Sequence, residues 1–169
     1  PEGGLMDNIE ATFAEDERLK IRERMMRGKR QKAAGGKLAG EARFAPYGYR
    51  WQGQKRDRHL VIYEPEAVIV RRIFERYVAG DTITKIRDML EGVPRFTDTH
   101  GAVGRNPRPA KEGRWARPVI YQILADASYT GVKQSHGSAV PIPAIISQDV
   151  YDAAAARRAT GRGKAFRNT

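Results

Sequence analysis

Eight basic residues, Arg18, Lys20, Arg22, Arg24, Arg27, Lys29, Arg30 and Lys32, crowd into one short segment against a single carboxylate, Glu23, giving it a charge of about +7. The chemistry that suits this pattern is neutralisation of phosphates, with release of the counterions that surround a polyanion. At helical spacing the charges cannot all share one face. Such a helix repels itself in water and becomes favourable along or across a phosphate backbone; the alternative is a solvated helix bridging two bodies. The residues before Arg18 invert the pattern, with six carboxylates and no Lys or Arg. The formal net charge of +11 over 169 residues must likewise be solvated or matched by an anionic partner, of which nucleic acid is the leading candidate.

Other chemistries find little support. Cysteine is absent, which removes disulfides, cysteine zinc sites and thiolate nucleophiles. His59, His100 and His136 lie far apart, without the i, i+4 pairing of a helical metal site. Glu15, Asp16 and Glu17 are consecutive and so point to different sides of a helix, which suits a salt-bridged face better than a Mg²⁺ cluster. No phosphate-cradling GxxxxGK[ST] motif and no Ser, His and Asp grouping is present. No apolar run reaches the eighteen or so residues of a membrane span, and no secretory signal opens the chain. The expectation is a cytosolic or nucleoid protein with no cofactor and no metal. Because the sequence opens on Pro1, it is expected to be a processed product or a fragment of something longer.

The elements that must position the basic segment are legible in outline. Leu5, Ile9 and Phe13 recur four apart, with Met6 and Leu19 beside them, and predict a helix over 1–34 ended by Gly35 and Gly36. At about 1.5 Å per residue, thirty helical residues reach roughly 45 Å, so this helix must project from its own core or join two bodies. Residues 35–46 have no period and read as a linker. Tyr47, Tyr49 and Trp51 alternate with Gly48 and Arg50, and HLVIY (59–63) is rich in β-formers, which predicts a short hairpin. Pro65 suits the first turn of a helix whose apolar face is Ile69, Val70, Ile73, Phe74 and Tyr77, ended at Gly80. A second helix, capped by Asp81 or Thr82, buries Ile83, Ile86 and Leu90 and closes at Gly92, a pairing compatible with a helix-turn-helix or with any αα-hairpin.

Val93 to Gly113 reads as a long loop or disordered insertion, with basic residues that include Arg95, Arg105, Arg108 and Lys111 and Arg114 just beyond. A third helix begins near Pro118 with Ile120, Ile123 and Leu124 inward. SYTGVKQ and AVPIPAII suggest one or two short strands, Ser147 caps a last helix to about Ala159, and the basic tail over 160–169 is expected to be disordered. The fold class is mainly α with a small antiparallel β-sheet (α+β), a compact helical domain over 47–159 joined to a long N-terminal helix.

Duplex DNA places specific demands on these elements. Arg22, Arg24, Arg27, Lys29, Arg30 and Lys32 are candidate phosphate contacts. The Gly-Gly-Lys37 segment is a narrow, positive tape of the kind that enters a minor groove. In the helix from Pro118, Arg117 and Gln122 can make bidentate base contacts and Tyr121 can reach phosphate; an ordinary core helix with a polar outer face is the plainer reading. Arg114 adds a further cation.

Several stretches together resemble a known family. PEGGLMDNIEATFAEDERLKIRERMMRGKRQKAAGG is similar to the end of the catalytic domain and the long αE helix of serine recombinases. FAPYGYRW, LVIYEPEAVIVRRIFERYVAGDTITKIRDML and RWARPVIYQILADASYTG resemble, in order, the P-Y-G-Y-R, V-x-x-E-A-x-x-V-x-x-I-F and W-x-x-x-x-V-x-x-I-L-x-x-x-x-Y-x-G segments of the recombinase domain of large serine recombinases, the phage integrases and related transposases. VPIPAIISQDVYDAAAAR continues the match, which covers nearly the whole chain.

The resemblance implies site-specific DNA recombination, recognition of an attachment-site half, and strand exchange through a phosphoserine intermediate without metal or ATP, because the covalent bond conserves the phosphodiester energy. It implies that the nucleophilic serine lies in a catalytic domain upstream of this chain and that a zinc ribbon follows the basic tail. Glu17 and Arg18 match the ER pair of the αE helix and are assigned a supporting role. Leu5, Met6, Ile9 and Phe13 would lie in a homodimer interface, with a tetramer in synapsis. Tyr47, Tyr49 and Arg50, in the P-Y-G-Y-R match, join the candidate DNA contacts. A bacterial or phage origin follows. A non-enzymatic helix-turn-helix repressor and an RNA-binding protein are the alternatives.

Overall fold

In the computed structural model the described residues are 3–39, 45–54, 57–93 and 115–165, with side chains described over 14–39, 45–54, 57–93 and 115–160. The chain divides into two compact units, Pro1–Gly40 with Gln134–Val140, and Glu41–Lys133 with Pro141–Thr169. Each is built around its own apolar contacts. The fold is α+β, as expected, but among the described residues the strands form two separate antiparallel hairpins.

In the first unit, α1 (Gly3–Ala34) is continuous. Gly28 does not break it, since the cost of about 1 kcal/mol for a helical glycine is offset by the strong helix formers on either side. The helix ends in a Schellman pattern: Gly36 N–H donates to Ala33 O at 3.0 Å and Lys37 N–H to Lys32 O at 3.2 Å, with Gly36 at φ +73°. Residues 35–39 have no period, yet Leu38 and Ala39 are buried. The same unit buries Ala33, Ser135 and Val140.

The second unit begins with β1 (Tyr49–Gln52) and β2 (His59–Ile62), paired in the register Tyr49↔Ile62 to Gln52↔His59. Helix α2 (Glu64–Val78) follows. Pro65 sits in its first turn, where no N–H is required, and Glu64 and Glu66 lie at the positive end of its dipole. Its buried face is Glu66, Ala67, Val70, Ile73, Phe74 and Tyr77. Helix α3 (Ile83–Met89) is capped by Thr82, whose hydroxyl accepts the Lys85 N–H at 3.2 Å. Ile86 and Leu90 are buried, whereas Ile83 stays partly exposed. Asp81 pairs with Lys85 and Arg76 at the turn between α2 and α3, and its carboxyl is held below the usual carboxylate range chiefly by the Lys85 hydrogen bond.

Helix α4 (Arg117–Ala125) turns Ile120, Ile123 and Leu124 inward, each contributing about 1.5–3 kcal/mol by leaving water. A 3₁₀ turn (Ala127–Thr130) takes up the first part of SYTGVKQ, so β3 is only Val132–Ser135 and β4 only Ser138–Pro141. The rest of AVPIPAII is irregular and buries Ile145 and Ile146. Helix α5 starts after Ser147, whose hydroxyl lies 3.5 Å from the Val150 N–H, and runs Gln148–Ala165. The expected disordered tail is thus helical to Ala165. Extending an existing helix is far cheaper than nucleating one, so Gly161 and Gly163 do not stop it. The 94–114 insertion lies outside the described residues.

Two contacts organise this unit. Glu66 is buried, and its Oε2 accepts the Gly48 N–H at 2.9 Å. Gly48 has φ +89°, and a Cβ there would stand 2.9 Å from Ile145 Cδ1 and 3.2 Å from Val70 Cγ2. At the other end Arg157 of α5 donates to the carbonyl oxygens of Tyr77, Gly80 and Asp81 and lies 4.4 Å from the Tyr77 ring centroid. One guanidinium thereby ties the last turn of α2 to the two residues of the following turn, adding to the bond that Tyr77 O already accepts from the Gly80 N–H at 3.1 Å.

Gly48→Ala combines backbone strain with overpacking and is expected to lower stability by about 2–4 kcal/mol. Gly80→Ala, at φ +111° with nothing within 4 Å of the new Cβ, should cost only about 1–2 kcal/mol. Urea unfolding of the two variants checks the difference. Arg157→Ala should cost about 1.5–3 kcal/mol, and Arg157→Lys should recover less than half of that, because an ammonium lacks the planar fork; the same unfolding curves test it.

Candidate nucleic-acid interface

The basic half of α1 has two charged rows. At 100° per residue, Lys20, Arg24 and Arg27 cluster on one side, and Arg18, Arg22 and Lys29 on the opposite side. Arg18, Arg22, Arg24, Arg27 and Arg30 are exposed, and Lys29 and Lys32 are partly so. Among the described residues the ion pairs join Glu64 with Arg71, Asp81 with Arg76 and Lys85, and Asp88 with Arg87. No described carboxylate pairs with a basic side chain between Arg18 and Lys32. Leu19, Ile21 and Met25 are 56%, 54% and 58% exposed, so these apolar side chains of the helix middle are largely left to solvent. Lys37, just past the helix, is exposed. Glu17 is exposed beside Arg18, and the side chains of Leu5, Met6, Ile9 and Phe13 lie outside the described residues.

The P-Y-G-Y-R stretch does two different things. Tyr49 is fully buried, stacks on Tyr129 with centroids 5.9 Å apart, and donates its hydroxyl to Pro143 O at 2.8 Å. Burial, reinforced by the Asp126 carboxylate, pushes its phenol far above the usual value. Its expected role as a DNA contact is therefore corrected: it is a core residue. The β1 alternation that set Tyr49 beside Tyr47 and Trp51 already carried the signal, since one side of a half-buried strand faces the core. Tyr47 is partly exposed, edge-on to Trp115 at 5.2 Å, and its carbonyl accepts the Tyr129 hydroxyl at 2.9 Å.

Arg50 is half-buried with its guanidinium 3.1 Å from the Tyr63 ring centroid, and Arg58 stacks 4.5 Å from that of Trp51. The β1–β2 hairpin thus presents two guanidinium–aromatic pairs. Arg58 and Trp51 were not among the residues expected from sequence, and the cross-strand aromatic and basic composition was the available signal.

Helix α4 divides cleanly. Arg117, Pro118, Gln122 and Ala125 are exposed and Tyr121 partly so, while the apolar side is buried. Its start is fixed by Trp115, buried, whose Nε1–H donates to Val93 O at 3.0 Å. Arg114 lies outside the described residues. Among the described residues no group of three or more His, Asp or Glu could hold a metal, and no helix is long and apolar enough to cross a membrane. The first unit offers positive charge on α1, and the second offers stacking surfaces and two exposed hydrogen-bonding side chains on a short helix; each by itself has side chains suited to a polyanion.

Comparison with known proteins agrees. The chain is 32% identical over 131 residues to a putative DNA recombinase of Bacillus subtilis (strain 168), covering 78% of this chain and 24% of that protein. It thus spans about a quarter of the length of that relative. Two solved structures share the fold: one described as a crystal structure of an LSR–DNA complex (18% identity, TM-score 0.55, 81% of this chain and 38% of that one), the other from work on the sequence requirements of the Listeria innocua prophage attP site (19%, 0.53, 80% and 51%). The Recombinase family model matches residues 64–161, from the first turn of α2 into α5, and the chain belongs to that family.

Proposed function

We propose that this chain is the DNA-binding portion of a site-specific large serine recombinase, holding one attachment-site half while a catalytic domain outside this sequence forms the phosphoserine intermediate. The observation that carries this reading is the run of basic side chains on α1 that no described carboxylate neutralises, on a chain of the Recombinase family. The basic half of α1 crosses the phosphate backbone, and the segment with Lys37 follows a groove. Arg117 and Gln122 on α4 meet base edges, Tyr121 meets phosphate, and Arg50, Tyr47 and Arg114 contribute backbone contacts. Glu17 and Arg18 mark the junction at which the helix passes from protein to DNA, with Leu5, Met6, Ile9 and Phe13 in the interface with a second copy. The setting is the bacterial cytoplasm or a phage-infected cell, at the nucleoid. A repressor would use similar surfaces for occupancy alone, and membership of the Recombinase family favours strand exchange over it.

Binding of the chain to a cognate half-site duplex, with structured RNA as competitor, tests the assignment; stronger competition by RNA would defeat it. In that assay Arg24→Ala, Arg27→Ala and Arg30→Ala together should weaken binding to all duplexes and reduce the salt slope by about one unit for each phosphate no longer neutralised, up to about three. An unchanged slope would remove α1 from the backbone. Gln122→Ala should lose about 1–3 kcal/mol of discrimination at one or two base pairs, read as a change in sequence preference rather than a uniform loss across a library of half-sites.

A further inference from the structure

The turn between β3 and β4 is the two-residue loop His136-Gly137, and both residues have positive φ, 45° and 87°. Consecutive positive φ angles are what the tight type I′ hairpin loop requires, and the pair that best fits it is Asn-Gly. His136 is the only non-glycine residue with positive φ among those described. Its ring explains the choice. Nε2 lies 2.7 Å from Ala39 O, and because a carbonyl only accepts, that nitrogen must carry the proton. On the adjacent residue, Ser135 Oγ lies 3.5 Å from the Ala39 N–H, a weaker contact at the limit of a hydrogen bond. The hairpin thus approaches both backbone groups of one residue, some ninety-six positions earlier in sequence.

The surroundings make the grip specific. Ala39 is 1% exposed, Leu38 6%, Ser135 3% and Val140 2%, so Leu38 and Ala39 are set among apolar and hydrogen-bonding neighbours within one compact unit. Upstream, the Schellman end of α1 fixes the chain through Gly36 and Lys37. Between these two fixed points lies Lys37, whose side chain is exposed. A stretch that reads in sequence as a loose Gly-rich tape is therefore held in one path.

We propose that His136 is a positioning residue, whose ring holds the Ala39 carbonyl and so fixes the path of residues 35–39 at the end of the DNA-crossing helix. The role rests on the DNA-binding reading given above. By pre-ordering this segment, the clamp lowers the ordering cost that a flexible arm meets on entering a groove. Ser135 assists.

His136→Asn tests the clamp in the full chain. Asparagine keeps the favoured Asn-Gly loop, so the hairpin persists, but its side chain is too short to reach as the imidazole does. Hydrogen exchange should show the amides of residues 37–39 losing at least tenfold in protection, while those of α2 and α5 are unchanged. On half-site duplex, affinity should fall three- to tenfold with the salt slope unchanged, and hydroxyl-radical footprinting should lose protection only beneath this segment, a selective loss that a general folding defect would not produce. Unchanged protection of residues 37–39 overturns the clamp. Lost protection with unaltered affinity and footprint overturns its role in placing the segment on DNA. Should the unmodified chain prefer RNA or fail to bind duplex, the functional reading fails, and the exchange experiment still decides whether His136 orders this segment.

Discussion

A buried carboxylate is the point on which the second unit depends. Glu66 is 1% exposed, and a polar side chain taken from water is tolerable only when hydrogen bonds replace its hydration. The Gly48 N–H supplies one of these, and that bond also sets the turn leading into β1 against α2. It can form only because residue 48 lacks a Cβ, which would press on Ile145 and Val70. From this contact the aromatic centre follows. Tyr49 is carried inward onto Tyr129, Tyr129 stands edge-on to Phe74, and the two tyrosine hydroxyls close on Pro143 O and Tyr47 O. The P-Y-G-Y-R stretch is thus largely architectural. Arg50 alone of its central residues keeps a charged group near the surface, spread over the Tyr63 ring.

In α1 the constraint is electrostatic. Like charges four apart weaken a helix, and Arg18 with Arg22 and Lys20 with Arg24 are such pairs. No described carboxylate relieves them, and Leu19, Ile21 and Met25 between them are exposed rather than packed in a core. Under the proposed function a polyphosphate backbone would meet both charged rows at once, since a helix crossing a duplex presents more than one side to it.

The sequence made the amphipathic elements plain and the long-range ones obscure. Helices α2 and α4 were legible because apolar residues recur at three and four and because Pro65 and Pro118 mark their starts. The second hairpin was only hinted at: its turn is His-Gly rather than Asn-Gly, and its strands are four residues each. Leu38 and Ala39 looked like linker residues because a short glycine-rich stretch can show no period, and their partners lie in Gln134–Val140. Arg157 gave no local sign either, for its acceptors are backbone carbonyls about eighty residues away. Of the candidate site, the residue types on α1 and α4 were legible from charge and period. Tyr49 was misassigned because its place in a family motif outweighed the strand alternation that turns it inward.

The proposed reading of base edges by α4 asks for more than exposed side chains, because bidentate contacts need their donors held to within roughly half an ångström. Nine residues are too few for a helix to be stable by itself, so the rigidity must come from its surroundings. It does so at three places. Trp115 anchors the entry through Val93 O. Ile120, Ile123 and Leu124 lock the underside. At the exit the Tyr151 hydroxyl of α5 donates to Ala125 O at 3.1 Å, and Asp126 accepts the Ser128 N–H at 2.9 Å to start the next turn. Arg117 and Gln122 therefore stand on a platform whose backbone is fixed before any ligand arrives, and the entropy lost on recognition is confined to their own rotamers.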